Sequence, residues 1–450
     1  MLYAGGTTLP LAEGVELKEI WIKNFKSLKD VKVRLGEFNL LIGPNRSGKT
    51  NFLEALELLK AVYFPRPGEV NPFLRWWGYD RVVWRRDESL PITIGLSLAM
   101  AGRDVKFEVT FTGIGGKFAL LKEVVEVNST VRLEKVGSVL KIKHDPEFLN
   151  RGLKEAEENE RVKHLISSIR AKSELANYSV DIRGKGTLLK DVIYSLTEIS
   201  LENVSILYSP AKRPWLRGIL LLSPNVDFGK QRTSFIMFIR NKLLDLLNNI
   251  LVLKAVEPRK IKEVVSRPAK EKTLTSDASN LHNVLYNLFM ENRAKMPPRI
   301  EKAIKDIFGP DVYVSFMLTE DGRIFMRVYE GDMPLDPPMI SDGFYKALVV
   351  LTAIETRPSI LVIDELENAL HPKAIQRLID ELKNAGCTVI AVTHSPAVVD
   401  IVDPEDIVLV DRDEEGATVM KRVEDPEALK RKLAERGITL SEGWLYGRIA

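Results

Sequence analysis

The sequence predicts an α/β fold of the P-loop type, with mixed parallel and antiparallel sheets and an inserted α+β lobe. Three stretches carry this expectation. Gly43-Pro44-Asn45-Arg46-Ser47-Gly48-Lys49-Thr50 has the GxxxxGK[ST] spacing of a phosphate loop. Ile360-Leu361-Val362-Ile363 is an apolar run that ends in Asp364-Glu365. Val389-Ile390-Ala391-Val392 is another, ending in Thr393-His394.

The chemistry of the loop follows from its residue types. Phe38–Ile42 reads as a buried strand, and residues 51–60 place apolar side chains at helical spacing. Gly43 and Gly48 let the backbone turn where a Cβ would clash. Backbone N–H groups then converge on the positive end of the next helix and make an anion site. Lys49 supplies a mobile positive charge for the β- and γ-phosphates of ATP. Thr50 offers a hydroxyl to Mg²⁺. Pro44, Asn45, Arg46, Ser47 and Asn51 complete the expected nucleotide-binding set.

The two later strands supply the rest of an NTPase site. Asp364 is the expected Mg²⁺ ligand, and Glu365 the general base for the attacking water. His394 sits where a γ-phosphate sensor belongs. Ser341 is a good N-cap for the apolar helix that follows, and with Gly343 it offers a helix N-terminus to a phosphate. The plain alternative for Ser341 is the cap alone.

Composition bounds the classes. The chain has 450 residues, 45% hydrophobic and 28% charged, enough for two or three domains with sizeable cores. A net charge of +3 neither supports nor excludes nucleic acid. Cys387 is the only cysteine and reads as a small core residue, so no internal disulfide is available and a reducing cytoplasm fits. Met1–Gly6 has no basic signal-type start, and apolar runs such as Ala347–Ile354 are too short for a membrane span. Gln231 and Gln376 are the only glutamines among many Lys, Arg and Glu, a bias that points to a thermophilic source.

In chain order, residues 1–15 read as a leader. Glu16–Lys26 and Val31–Val33 read as strands, and Pro91–Met100 and Val105–Gly113 as antiparallel strands. Phe73–Arg86 interleaves aromatic and basic residues, as either a single-strand clamp or a loop with aromatics tucked into a core. Val131–Ile142 reads as one strand and residues 147–176 as a charged helix. Residues 230–256 read as a helix followed by a strand. Arg259–Lys272 reads as an exposed basic connector, and a helix opens at Ser279-Asn280-Leu281. Arg299–Ile307 reads as a helix, and Val312–Leu318 with Arg323–Tyr329 as a hairpin. The expected domains are residues 15–120 (N-terminal half, phosphate loop), 120–300 (inserted mixed lobe) and 300–450 (C-terminal half).

As an ordered set, GPNRSGKT, ISDGFYKAL, ILVIDELENALHP and VTHSP resemble the motifs of ABC-class ATPases of the SMC and OLD type, also grouped as AAA-type core-domain ATPases. IKNFKSLKDVKVRLGEFNLLIGPNRSGKT and WLYGRI are similar to the opening and ending of that family. The resemblance covers the two ATPase halves and implies an ABC-class ATPase head. It implies two subunits sandwiching two ATPs, with Ser341 and Gly343 on the γ-phosphate of the opposite subunit. Glu367–Pro372 would then lie in the dimer seam, and His394 matches the switch histidine. Three features depart from the pattern: Arg46 stands where a small residue is common, no Q-loop glutamine is visible, and there is no long coiled coil. Asp411-Arg412-Asp413 reads as a turn rather than part of a Toprim nuclease site.

The reading is Mg-dependent ATP binding and hydrolysis driving a homodimer or higher oligomer, with DNA or an effector protein as partner. DNA maintenance, repair or defence against mobile elements is the implied setting. The alternative is a nucleic-acid-binding or regulatory module with vestigial ATPase activity that serves a partner effector. A transporter subunit fits poorly, and no NKxD element supports a GTPase.

Overall fold

The computed structural model describes residues 15–69, 71–129, 131–144, 177–181, 225–227, 232–263 and 267–446. The expected leader and the expected charged helix at 147–176 lie outside these residues. The chain divides into two compact units, Met1–Lys32 with Leu58–Asn248 and Val33–Glu57 with Asn249–Ala450.

The first unit is built on an eight-stranded sheet. Its strands are β1 (Val15–Phe25), β2 (Leu28–Arg34), β4 (Ile92–Met100), β5 (Arg103–Thr112), β6 (Ala119–Val127), β7 (Val131–Val136), β8 (Val139–His144) and β9 (Asn177–Asp181), in the order β2-β1-β4-β5-β6-β7-β8-β9. Pairing from β1 to β9 is antiparallel throughout. Alternating side chains explain it: in β5, Val105, Phe107, Val109 and Phe111 are buried while the residues between them are less so. Gly95 lies opposite Trp21 in the ladder, and a Cβ there would enter the Trp21 ring. A short hairpin of β10 (Asn225–Asp227) and β11 (Arg232–Ser234) precedes a helix at Phe235–Asn248.

One expectation changes here, and one of the two readings of 73–86 is borne out. Val131–Ile142 is two strands, because Gly137 turns the chain at φ +55° between β7 and β8. The aromatics of 73–86 go mostly inward. Phe73, Tyr79 and Trp84 are buried, and Phe73 packs against Tyr79, Phe111 and Phe118. Trp77, in a left-handed turn, is exposed.

The second unit holds a six-stranded sheet. Its strands are β3 (Phe38–Ile42), β12 (Ile250–Leu253), β16 (Ile360–Ile363), β17 (Thr388–Val392), β18 (Ile407–Arg412) and β19 (Thr418–Arg422), in the order β12-β16-β17-β3-β18-β19. The first five are parallel, and β19 returns antiparallel. Every residue of β3, β12 and β16 is buried, as a parallel sheet covered on both faces requires. A separate antiparallel sheet joins β13 (Val312–Leu318), β14 (Ile324–Glu330) and β15 (Met333–Leu335).

The helices of the described residues are α1 (Lys49–Tyr63), α2 (Phe235–Asn248), α3 (Pro258–Glu263), α4 (Leu281–Glu291), α5 (Pro298–Phe308), α6 (Asp342–Glu355), α7 (Pro372–Lys383), α8 (Pro396–Val399), α9 (Pro426–Arg436) and α10 (Leu440–Leu445). Helix α6 is buried along most of its length, and Phe344, Tyr345 and Ala347 through Leu351 join the core of this unit. The basic connector is less free than expected, since Lys262 of α3 pairs with Asp342 at 2.6 Å. Asp411-Arg412-Asp413 is a strand end and turn: the Asp413 carboxylate accepts the N–H groups of Glu415 and Ala417.

Candidate nucleotide site

Parallel strands place their C-terminal ends along one edge of the sheet, where open α/β sheets bind ligands. Strand β3 runs into the phosphate loop, β16 into Asp364-Glu365 and β17 into Thr393-His394. The acidic strand is not next to β3. The histidine strand β17 lies between them.

The loop is closely braced. A Cβ on Gly43 would stand 1.9 Å from the Val410 carbonyl oxygen, so only glycine lets the loop pass β18. Gly48 has φ +112°, a region L side chains rarely adopt. Arg46 holds φ +66°, an unfavourable place for a long side chain, and is exposed. Thr418 Oγ1 donates to the Ser47 carbonyl at 2.8 Å and ties the loop to β19. Pro44 and Asn45 are exposed, Thr50 is exposed and Asn51 half-buried at the head of α1.

Lys49 is turned back over its own loop. Its Nζ donates to the carbonyls of Gly43 and Pro44, each at 2.8 Å, and to Ser47 Oγ at 3.4 Å. Burial pushes this ammonium down to about 8, with Asp364 pulling the other way. The first-turn N–H groups of α1 have no intrahelical acceptor. A buried ammonium held only by neutral oxygens, beside a helix N-terminus, fits an anion such as a triphosphate.

Asp364 is half-buried, and its carboxyl is raised, first by burial and then by Glu365. A half-buried carboxylate beside a second carboxylate fits a divalent cation, with Thr50 the hydroxyl expected to share it. Glu365 is exposed and sits at φ +50°, a strained conformation of the kind found at functional sites. Leu366 N–H donates to the Val392 carbonyl at 3.1 Å, which ties this turn to β17. Glu367 adds a second tie, accepting from Thr393 Oγ1 and from the His394 N–H, both at 2.8 Å. His394 is exposed.

Ser341 caps α6, its Oγ accepting the Phe344 N–H at 3.2 Å. Gly343 lies against the turn after Asp364: a Cβ there would be 2.6 Å from the Ala369 carbonyl oxygen. Among the described hydrogen bonds, neither Ser341 nor Gly343 reaches the loop at 43–51. The structure therefore gathers Lys49, Asp364, Glu365 and His394 at one sheet edge and sets the α6 tip against the turn beyond Asp364.

Sequence reasoning missed three supports. Asn39 is fully buried, donates to the carbonyls of Gly36 and Val389 and accepts from Arg422. Thr418 gave no signal, since its partner is a distant backbone carbonyl. Glu367 was visible as a charge, but not its bonds to Thr393 and His394.

A phosphate loop, an acidic strand end and an intervening histidine strand on one parallel sheet define the P-loop NTPase class. Within it, the chain belongs to the family AAA_21, "AAA domain, putative AbiEii toxin, Type IV TA system", whose profile matches residues 38–400. It is similar to the DNA replication and repair protein RecF of Lactococcus lactis subsp. cremoris (strain MG1363), 30% identical over 90 residues, covering 20% of this chain and 25% of that one. It is similar to the OLD nuclease of Thermus scotoductus, 39% identical over 49 residues, 11% of this chain and 9% of that one. Methionine import ATP-binding protein MetN 2 of Oenococcus oeni is 27% identical over 156 residues, 34% of this chain and 39% of that one. The chain thus spans well under half the length of these curated relatives. Among solved structures, the Smc head domain of Pyrococcus furiosus bound to the C-terminal domain of ScpA aligns with a TM-score of 0.45. That alignment has 12% identity and covers 94% of this chain and 100% of that one. No helix among the described residues is long and apolar enough to cross a membrane.

Proposed function

We propose that this chain binds and hydrolyses Mg-ATP at the edge of the six-stranded sheet, and that the nucleotide joins two copies head to head. The observation that carries the reading is the buried Lys49 ammonium, held by carbonyls of the phosphate loop and electrostatically coupled to Asp364. ATP bound here would present the phosphoanhydride to be broken, and a Mg²⁺ ion held by Thr50 and Asp364 would supply neutralisation of its charge. Lys49 turns from its carbonyls to the phosphates. Thr50 and Asp364 hold the metal, and Pro44, Asn45, Arg46, Ser47, Gly48 and Asn51 wrap the anion. Glu365 orients and deprotonates water. Glu367 fixes the backbone that carries His394, which reads the γ-phosphate.

Ser341 and Gly343 make no contact with their own loop among the described hydrogen bonds, which supports a role on a partner's nucleotide. Relatives named for DNA replication and repair and as a nuclease, with a family described by a toxin system, support DNA maintenance or defence against mobile elements as the setting. The burial of Phe73, Tyr79 and Trp84 removes most of the stacking surface that a nucleic-acid module would use. Glu365→Gln is the test. ATP binding kept, hydrolysis lost and an ATP-dependent shift from monomer to dimer in sedimentation are expected. Unchanged hydrolysis sinks the base, and an oligomer indifferent to ATP sinks the sandwich.

A further inference from the structure

The three-stranded sheet of the second unit has two edges, and only one of them is blunted. At the β15 edge the strand is three residues long and contains Pro334. At the other edge β13 runs for seven residues, Val-Tyr-Val-Ser-Phe-Met-Leu, with no charge, proline or glycine. Tyr313, Met317 and Leu318 are exposed along it. An uncharged, uninterrupted edge is a template for another strand.

The register shows which backbone groups stand unpaired. Asp311 accepts the Gly331 N–H at 3.0 Å just before the β13–β14 ladder, and the Thr319 N–H donates to the Arg323 carbonyl at 2.9 Å just after it. Val312 lies opposite Glu330 and Leu318 opposite Ile324, so the positions bonded to β14 are the odd-numbered ones. Val314, Phe316 and Leu318 therefore turn N–H and C=O away from β14. Among the described residues those groups have no hydrogen-bond partner. Val314 is itself buried, and a buried backbone pair left unbonded is costly.

A cavity of about 820 Å³ lies against this edge, lined by residues 312–315 of β13, by the connector between α4 and α5, and by α5. That is within the range of binding clefts, roughly 300–1,000 Å³. Met296, Ile304 and Val312, all buried, give it an apolar wall. Asp311 and Asp332 line it too, both exposed and without an ion-pair partner among the described residues. They face one cation in the same state, Lys295, because Lys305 is taken by Glu301 at 2.6 Å. A cavity of this size, walled by a helix as well as by β13, admits one extended chain rather than the sheet of a second folded molecule.

We propose that β13 is a docking edge for an extended peptide segment of a partner protein. The segment adds as a fourth strand, sets alternate apolar side chains against Met296 and Ile304, and places a lysine or arginine beside Asp311 and Asp332. Backbone hydrogen bonds supply the affinity and the alternate side chains the preference. The reading does not depend on what the phosphate loop binds.

The test uses the full-length protein and a capped synthetic peptide, Arg-Thr-Val-Thr-Val-Thr-Val, titrated to about 1 mM, the weak limit of specific binding. Saturable binding is expected. Two N-methylated versions, one on each alternate set of residues, block one peptide edge each. One should lose about tenfold or more in affinity and the other stay within about threefold, since only one edge meets β13. Asp311→Asn with Asp332→Asn should weaken binding about threefold or more. Amide exchange read by NMR should be fast at Val314 and Phe316 in the free protein and slowed about tenfold or more by the peptide.

No saturable binding overturns the proposal, as does equal binding by the two methylated peptides, which would mean that side chains alone make the contact. Equal binding by the Asn variant overturns the basic flank assigned to the occupant. Slow exchange at Val314 and Phe316 that appears with protein concentration alone gives the edge to a second copy of this chain and overturns the peptide.

Discussion

Gly343→Ala separates two opposed effects at the tip of α6. Alanine is the better helix former, and on backbone entropy alone the change should stabilise by roughly 0.5–1 kcal/mol. The structure adds a clash. The new Cβ would lie 2.6 Å from the Ala369 carbonyl oxygen, against the 3.4 Å at which ordinary contact begins, so helix or turn must move by about 0.8 Å. The obstacle is backbone, not the end of a flexible side chain. Overpacking of this kind costs roughly 1–3 kcal/mol, so the net expectation is a loss of about 0–2.5 kcal/mol. On the proposed role of the α6 tip at a phosphate, a displacement near 1 Å there also costs rate, about tenfold or more in kcat. Urea unfolding gives the first number and phosphate release from Mg-ATP the second. A variant more stable than wild type by 0.5–1 kcal/mol, the gain from roughly one better helix former, would mean that α6 does not rest on this turn.

Two further outcomes test the supports of the site. Glu367→Ala removes the acceptor for Thr393 Oγ1 and the His394 N–H. Hydrogen bonds to a charged group are worth about 1.5–3 kcal/mol each, and partial exposure sets the expectation at the low end, about 1.5–3 kcal/mol in all by urea unfolding. ATP turnover should fall with it, and turnover equal to wild type would remove Glu367 from the mechanism. Burial pushes the Cys387 thiol up to about 12. A group raised on folding contributes stability below its unfolded value and loses it as pH rises, here between about 9 and 12. Iodoacetamide should leave the native thiol unmodified at pH 8 and alkylate it in urea, and Cys387→Ala should flatten the loss of stability above pH 9. Rapid native alkylation would contradict the raised thiol.

The parts of the site that come from one short stretch were legible. Gly43, Gly48, Lys49 and Thr50 announce themselves because a phosphate loop is a local device, and Asp364 because an apolar run ending in acids is one too. The order of the strands was not legible. Nothing in Val389–Val392 says that it lies between Phe38–Ile42 and Ile360–Ile363, since that follows from long-range pairing. The same limit hid Thr418, whose hydroxyl meets the Ser47 carbonyl across the fold. Val131–Ile142 was misread because Gly137 was passed over inside an alternating run. In Phe73–Arg86, aromatic content was visible but its direction was not, because burial there depends on Phe111 and Phe118.

The central claim is that the loop at 43–50 binds ATP through Lys49. The most direct measurement is an equilibrium titration of Mg-ATP against wild type and Lys49→Ala, with the fold of both checked by urea unfolding. Saturable binding by wild type and a loss of about tenfold or more in the alanine variant is the expected result. No saturable binding, or the same affinity in both folded proteins, would contradict it.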